Sequence, residues 1–339
     1  MKTLLYPAYD TMEISEQPEP APSSGQVLLR VEACGICGSE IEAFKKRSPR
    51  RVPPLVMGHE FCGVVEESGR DVKNLKPGDH VVSHSLISCG TCARCLRGQI
   101  HLCEHRQIFG MQSAGAFAEF VVAPERCLIA WPDGVPAEAA CLTEPLANGV
   151  HVVNLTKRLE PKVVAVIGAG AIGLLCQQAF QTMIGAEVLV CDLIPERLQT
   201  ASNLGARTTI NSATDDVVEA IRELTGGEGA DVVVDAVGGG ITKKLALAAT
   251  RFGGATVWIG THENSITFDS YDITMGERQV LGSYAATMPE LQFALDLIAL
   301  GKVDAQTWTK QYPLEAGVLA FQTMLSAKGD DIKAVLRPH

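Results

Sequence analysis

The chain has 339 residues, 46% of them hydrophobic and 20% charged, which is enough apolar matter for a large buried core and for two domains. A formal net charge of -10 excludes a field that would collect nucleic acid or an anionic membrane surface, so the expected partner is a small molecule. No apolar run approaches the roughly 20 residues that span a bilayer, and Met1 to Pro7 is too short for a signal peptide, so a cytoplasmic location is expected.

Residues 1–150 are rich in Val, Gly and Pro, with short alternating runs such as Val27–Val31 and Gly63–Glu66 that end in turn signals. The turn Lys76-Pro77-Gly78-Asp79 leads into His80-Val81-Val82, and Gly115–Val122 reads as a further strand, so a β-barrel is expected here. Eleven cysteines are present, seven of them between Cys34 and Cys103. Cys89, Cys92, Cys95 and Cys103 form C-x2-C-x2-C-x7-C within a lobe at 89–103, and four thiolates so spaced can wrap one tetrahedral ion and leave no position for substrate. Structural zinc is expected; an iron–sulfur cluster shares four-cysteine ligation and is the competing reading. His84, His101 and His105 flank the lobe and read as ordinary surface histidines. A dispersed set (Cys37, Gly58-His59-Glu60 and Glu144) offers Cys37 and His59 as a candidate metal pair, which spacing alone leaves open. Between them lie Lys45, Lys46, Arg47, Arg50 and Arg51, either a solvated loop or a site for a substrate phosphate or carboxylate.

From about residue 161 apolar strands alternate with amphipathic stretches, the pattern of a doubly wound parallel sheet, expected over 151–284 in the Rossmann order 3-2-1-4-5-6. The strands are placed at Val163–Ile167, Val188–Cys191, Thr208–Ile210, Val232–Ala236, Thr256–Ile259 and Gln279–Leu281. Gly168, Gly170 and Gly173 follow the first of these and open a helix at Leu174–Thr182, the context that a dinucleotide fingerprint requires. Asp192, nineteen residues past Gly173, would accept the adenosine ribose hydroxyls and repel a 2′-phosphate, favouring NAD over NADP. Arg197 either covers the adenine or tolerates a phosphate, or else pairs with Glu196 in solvent. Residues 285–339 supply one helix at Glu290–Leu300 and a strand at Ala334–Arg337 that return to the first domain.

These motifs, above all Gly58-His59-Glu60-Phe61-Cys62-Gly63 with Gly69 and Val72, resemble the zinc-containing medium-chain dehydrogenase/reductase superfamily along essentially the whole chain. Within it the sequence is similar to the sorbitol, polyol-phosphate and threonine dehydrogenase branch, because Glu144-Pro145 stands where liver-type alcohol dehydrogenases place a zinc-binding cysteine. The resemblance implies an α/β protein with a GroES-like catalytic barrel and a Rossmann domain. It implies catalytic zinc held by Cys37 and His59, with Glu60 or Glu144 as third ligand directly, through water or in exchange. Ser39 would take the substrate proton, and Ile172, Asp192, Arg197 and the backbone of Ile259, Gly260 and Thr261 would line the cofactor. Two positions depart from the family: Glu40 stands where an aspartate orients the zinc-bound histidine, and Glu42 where a histidine often relays protons.

The implied reaction is hydride transfer between NAD(H) and a secondary alcohol of a polyol, sugar or sugar phosphate. Zinc lowers the pKa of bound water from about 15.7 to about 7, on the order of 12 kcal/mol toward ionising a hydroxyl. The alternatives are an L-threonine or general secondary-alcohol dehydrogenase, a zinc-free enone reductase, and a catalytically silent NAD(H)-binding structural protein. Relatives of this kind are commonly homodimers or homotetramers.

Overall fold

Strand Gln26–Gly35 carries Val27, Leu28, Leu29, Val31, Ala33 and Cys34 as buried residues, and a segment so apolar is stable only with a partner along each edge. It pairs antiparallel with Glu60–Ser68, Phe120–Pro124 and Lys333–Arg337. In the computed structural model, which describes residues 1–339, these belong to a seven-stranded sheet. Its main path runs Leu128–Ala130, His80–Ser83, Glu60–Ser68, Gln26–Gly35, Lys333–Arg337 and Thr309–Pro313. A three-stranded sheet, Thr11–Glu16, Lys2–Ala8 and Leu55–Val56, shares its core through Leu4, Tyr6, Phe61 and Phe117. Phe61 is fully buried and meets Phe109 edge-on at 5.1 Å; truncating such a ring to alanine costs about 3–5 kcal/mol, and here it would loosen the start of the strand that carries Glu60.

The chain divides into two units, Met1–Ala147 with Ala286–Gly301 and Ala305–His339, and Asn148–Ala285 with Lys302–Asp304. The second contains six parallel strands: Val163–Ile167, Glu187–Asp192, Thr208–Asn211, Ala230–Asp235, Thr250–Trp258 and Gln279–Gly282. Counted along the chain, their order across the sheet is 3-2-1-4-5-6, as the periodicity predicts. Ala165, Ile167, Leu189, Cys191 and Val233 are buried in its core, which is why these strands read as continuous apolar runs rather than alternating ones.

Two expectations are corrected. Gly115–Val122 is not one strand. The ladder strand is Phe120–Pro124, whereas the amides of Gly115, Ala116 and Phe117 bond to the carbonyls of Val56, Gly58 and Met57 and brace the loop before His59. The tail is also richer than one helix and one strand. Besides helix Met288–Ala299 and strand Lys333–Arg337 it forms strand Thr309–Pro313 and helix Gly317–Ser326. The first is a largely polar edge strand and the second a short helix opening on glycine, so neither carries a clean period.

Candidate metal and dinucleotide sites

The sulfur atoms of Cys89, Cys92, Cys95 and Cys103 lie within 4.8 Å of one another. Separations of 3.9 Å (Cys89–Cys95), 3.5 Å (Cys92–Cys95) and 3.9 Å (Cys92–Cys103) match the edges, about 3.8 Å, of a tetrahedron with zinc–sulfur bonds of about 2.3 Å. Backbone amides point at the sulfurs as well: Cys92 N–H donates to Cys89 Sγ and Cys89 N–H to Cys103 Sγ, each at 3.4 Å. Amides from Thr91 and Cys92 lower the Cys89 pKa to about 5, whereas burial and its sulfur neighbours push Cys95 up to about 11. A divalent ion bound here would remove that conflict by holding all four as thiolates. The neighbouring histidines are not all on the surface. His84 and His101 are buried and only His105 is exposed. His84 is neutral, with Nε2 donating to the Ala286 carbonyl at 2.9 Å and Nδ1 accepting from Leu86 N–H at 3.0 Å.

A second group brings together Cys37, His59 and Glu60, whose ligand atoms also lie within 4.8 Å of one another. Cys37 is the N-cap residue of helix Gly38–Lys45, and Glu60 opens strand Glu60–Ser68. Gly58 sets the angle of His59: its φ of +103° suits glycine, and a Cβ there would lie 2.6 Å from the Phe117 ring. The substituted Glu40 reaches its target despite the extra methylene. Fully buried, it accepts from Gly58 N–H at 2.7 Å and Cys37 N–H at 3.0 Å, and lies 3.0 Å from His59 Nδ1. That contact leaves His59 Nε2 as the ligand nitrogen. Burial works against charge on His59, yet Glu40 and Cys37 more than offset it and raise its pKa well above the ordinary value. The donor set therefore calls for a cation.

Glu144, in the first turn of helix Thr143–Thr156, is buried but stands outside this three-residue group. Burial raises its pKa, while the charge of His59 and a hydrogen bond from Ser85 work the other way. Three partners escape sequence reading. Lys333 forms a short buried ion pair with Glu60, Ser85 holds Glu144, and Arg51 turns inward onto Ser39. No spacing rule links residues 273 positions apart, and a lysine in a terminal strand carries no signal of its own. The other four basic residues are all exposed: Lys46 pairs with Glu42 at 2.9 Å and Arg47 with Asp10 in surface ion pairs, and Lys45 and Arg50 face solvent as well.

In the second unit the glycine loop joins strand Val163–Ile167 to helix Ala171–Ile184. Gly168 has a φ of +99°, a Cβ on Gly173 would strike the Gly168 carbonyl, and a Cβ on Gly170 would meet nothing within 4 Å. That open side is where a pyrophosphate could approach the backbone, with Ile172 in the first helical turn beside it. Asp192 ends its strand and ties the loop, accepting from Ala169 N–H at 2.6 Å and Ile194 N–H at 2.9 Å. Arg197 lies on the following helix, Pro195–Asn203. Ile259, Gly260 and Thr261 follow strand Thr250–Trp258, and the amides of Ile259 and Gly260 bond to the Asp235 carbonyl at 3.2 and 2.9 Å. Gly238 and Gly260 touch backbone to backbone at the same end of the sheet.

Residues 23–133 match the alcohol dehydrogenase GroES-like domain and residues 171–299 the zinc-binding dehydrogenase family. D-arabitol-phosphate dehydrogenase of Enterococcus avium is 33% identical over 98% of this chain and 96% of its own length. Sorbitol dehydrogenase of Halalkalibacterium halodurans is 34% identical over 100% of this chain and 99% of its own. A zinc-binding dehydrogenase from Sinorhizobium meliloti, solved bound to NADP, superposes with a TM-score of 0.91 at 29% identity, covering 99% of both chains. With a four-sulfur tetrahedron, a thiolate–imidazole–carboxylate group and a glycine loop on a 3-2-1-4-5-6 sheet, the chain belongs to the zinc-containing medium-chain dehydrogenase/reductases. It falls in their polyol and threonine dehydrogenase-like branch, and is a zinc- and dinucleotide-dependent alcohol or polyol oxidoreductase.

Proposed function

We propose that the enzyme transfers hydride between NAD(H) and a secondary alcohol of a polyol or sugar, with Cys37, His59 and a carboxylate from Glu60 or Glu144 holding the catalytic ion. The observation that carries this reading is the convergence of Cys37, His59 and Glu60 beside the Ser39 hydroxyl. When bound, zinc supplies Lewis acidity toward a substrate hydroxyl. Glu40 fixes the tautomer and direction of His59, Lys333 compensates the charge of Glu60, and Ser39 is the hydroxyl that moves the substrate proton. Asp192 supports NAD over NADP, since its carboxylate meets a ribose diol more favourably than a phosphate. We further assign residues 1–150 and 285–339 to the catalytic domain, with the structural zinc on Cys89, Cys92, Cys95 and Cys103, and residues 151–284 to the cofactor domain.

An unphosphorylated substrate is favoured because Arg47, Lys46 and Arg51 are engaged within the protein. A phosphate ester is the second reading, favoured by exposed Lys45 and Arg50 and by the similarity to D-arabitol-phosphate dehydrogenase. A panel of polyols, polyol phosphates, L-threonine and simple alcohols, each with NAD and NADP, tests both. No turnover of any secondary alcohol by zinc-replete protein would end the proposal, and a kcat/KM for phosphates that Arg50→Ala abolishes would select the second reading. None of the eleven cysteines forms a disulfide and five of them are assigned here to zinc, which supports a reducing cytoplasm. Strand Gln279–Gly282, at the outer edge of its sheet, supports pairing of two copies into a dimer or tetramer, which a sedimentation measurement would read.

A further inference from the structure

The connection between helix Gly38–Lys45 and His59 carries several cations, and one of them is unlike the rest. Arg51 is only 4% exposed. Its Nε donates to the Gly110 carbonyl at 3.1 Å, its Nη1 to the Ser39 carbonyl at 2.8 Å and its Nη2 to the Ser39 hydroxyl at 3.3 Å. Taking a guanidinium out of water is costly, and these oxygens, with the charge of Glu40 nearby, provide the compensation. Arginine has no acceptor. The Ser39 oxygen therefore receives the Arg51 proton, and the one Ser39 proton is left to point elsewhere. It points at Cys37 Sγ, 3.4 Å away.

Resting on the roles given above to Cys37 and Ser39, we propose that Arg51 is a positioning residue for the Ser39 hydroxyl, holding it in the single rotamer in which it donates to the Cys37 sulfur. Without Arg51 the hydroxyl is free to sample its other staggered wells. With it, the donors run one way, from Arg51 through Ser39 to Cys37. A hydrogen bond to a thiolate draws electron density from the sulfur, so an ion bound by Cys37 is left more electron-poor. A guanidinium has no lone pair to receive a proton from Ser39, so a substrate proton accepted at the second lone pair of this hydroxyl leaves by another route. Lysine does not reproduce the arrangement, because a single ammonium lacks the planar fork that grips the carbonyl and hydroxyl of one residue together.

The test uses the full-length protein, a Cys37→Ser reference and four variants: Arg51→Met, Arg51→Lys, Ser39→Ala, and Ser39→Ala with Arg51→Met. In the zinc enzyme, kcat is expected to fall about 10- to 100-fold in Arg51→Met, the KM for the dinucleotide to hold, and Arg51→Lys to recover little. Added to Ser39→Ala, Arg51→Met should cause no further loss. Samples loaded with cobalt(II) report on the sulfur directly. After subtraction of a Cys37→Ser sample, which keeps the four-cysteine lobe, the sulfur-to-cobalt charge-transfer band should shift equally in Arg51→Met and Ser39→Ala. An unshifted band with full kcat in Arg51→Met, or a further full-sized loss on the Ser39→Ala background, would overturn the proposal. If Arg51→Met does not fold, Arg51→Lys carries the same cycle. Absence of any dehydrogenase activity in the unaltered enzyme would refute the functional reading instead, while the cobalt band would still decide whether Arg51 acts on Cys37 through Ser39.

Discussion

Lys333 and Glu60 are 3% and 2% exposed and joined in a short ion pair, so removing the lysine strands a carboxylate in the interior. Breaking a buried pair in this way costs about 3–5 kcal/mol, because the remaining charge keeps its desolvation penalty and loses its partner. For a unit of this size each kcal/mol moves Tm by about 2–4 °C, so Lys333→Met is expected to lower the melting temperature of metal-free protein by about 6–20 °C. Two further measurements separate this from a simple packing defect. Glu60→Gln combined with Lys333→Met should regain most of the loss, since a neutral amide is far less costly to bury beside methionine. Zinc should also shrink the penalty of the single variant, because an ion beside Glu60 replaces part of the missing positive charge. Calorimetric melts at pH 7, with zinc and with chelator, read all of these. A metal-free Lys333→Met protein melting within about 2 °C of its parent, or strictly additive effects in the double variant, would refute the reasoning.

Three more outcomes are expected. His84 is buried neutral with its pKa lowered to about 4, so the unfolded chain binds its proton first as pH falls below about 6.5 and stability declines through that window. Between pH 7 and pH 5 the parent should lose about 2 kcal/mol more urea-unfolding stability than His84→Gln does, the difference isolating His84 from groups such as His59 that titrate with the opposite sign. Elemental analysis should find about two zinc ions per chain, and Cys103→Ser about one, with an earlier thermal transition in the variant. Asp192→Ala should raise the KM for NAD about 10- to 100-fold and that for NADP less, narrowing the preference measured as a ratio of kcat/KM values.

The cofactor sheet was legible because each of its signals is local. Val163–Ile167, the three glycines and Asp192 lie within thirty residues and report one βαβ unit with its ligand loop. The four-cysteine lobe is local too, and its spacing is close to a description of the tetrahedron. The dispersed group is different, since Cys37, His59 and Glu60 meet only after Gln26–Gly35 and Glu60–Ser68 have paired; resemblance to a family, rather than spacing, singled them out beforehand. What surrounds them was not legible. A basic run reads as solvent-facing, yet Arg51 is buried because Gly110 and Ser39 offer it oxygens from distant positions. His84 reads as a surface residue for the same reason, since its burial is decided by chain that returns from far away, here Ala286. Strand Thr309–Pro313 was missed because it sits at a sheet edge, where one side faces water and polar residues suffice.

Lys333 is made 273 residues after Glu60. At about 5–20 residues per second, a ribosome leaves that carboxylate waiting for roughly 14–55 seconds before its counter-charge exists. Strand Gln26–Gly35 likewise lacks one of its neighbours until Lys333–Arg337 has emerged, whereas the parallel sheet is synthesised without interruption. The later-born nucleotide-binding half can thus mature while the earlier-born metal-binding half is still unfinished, and the nascent first half must be kept from aggregating or binding stray ions until its final strand arrives.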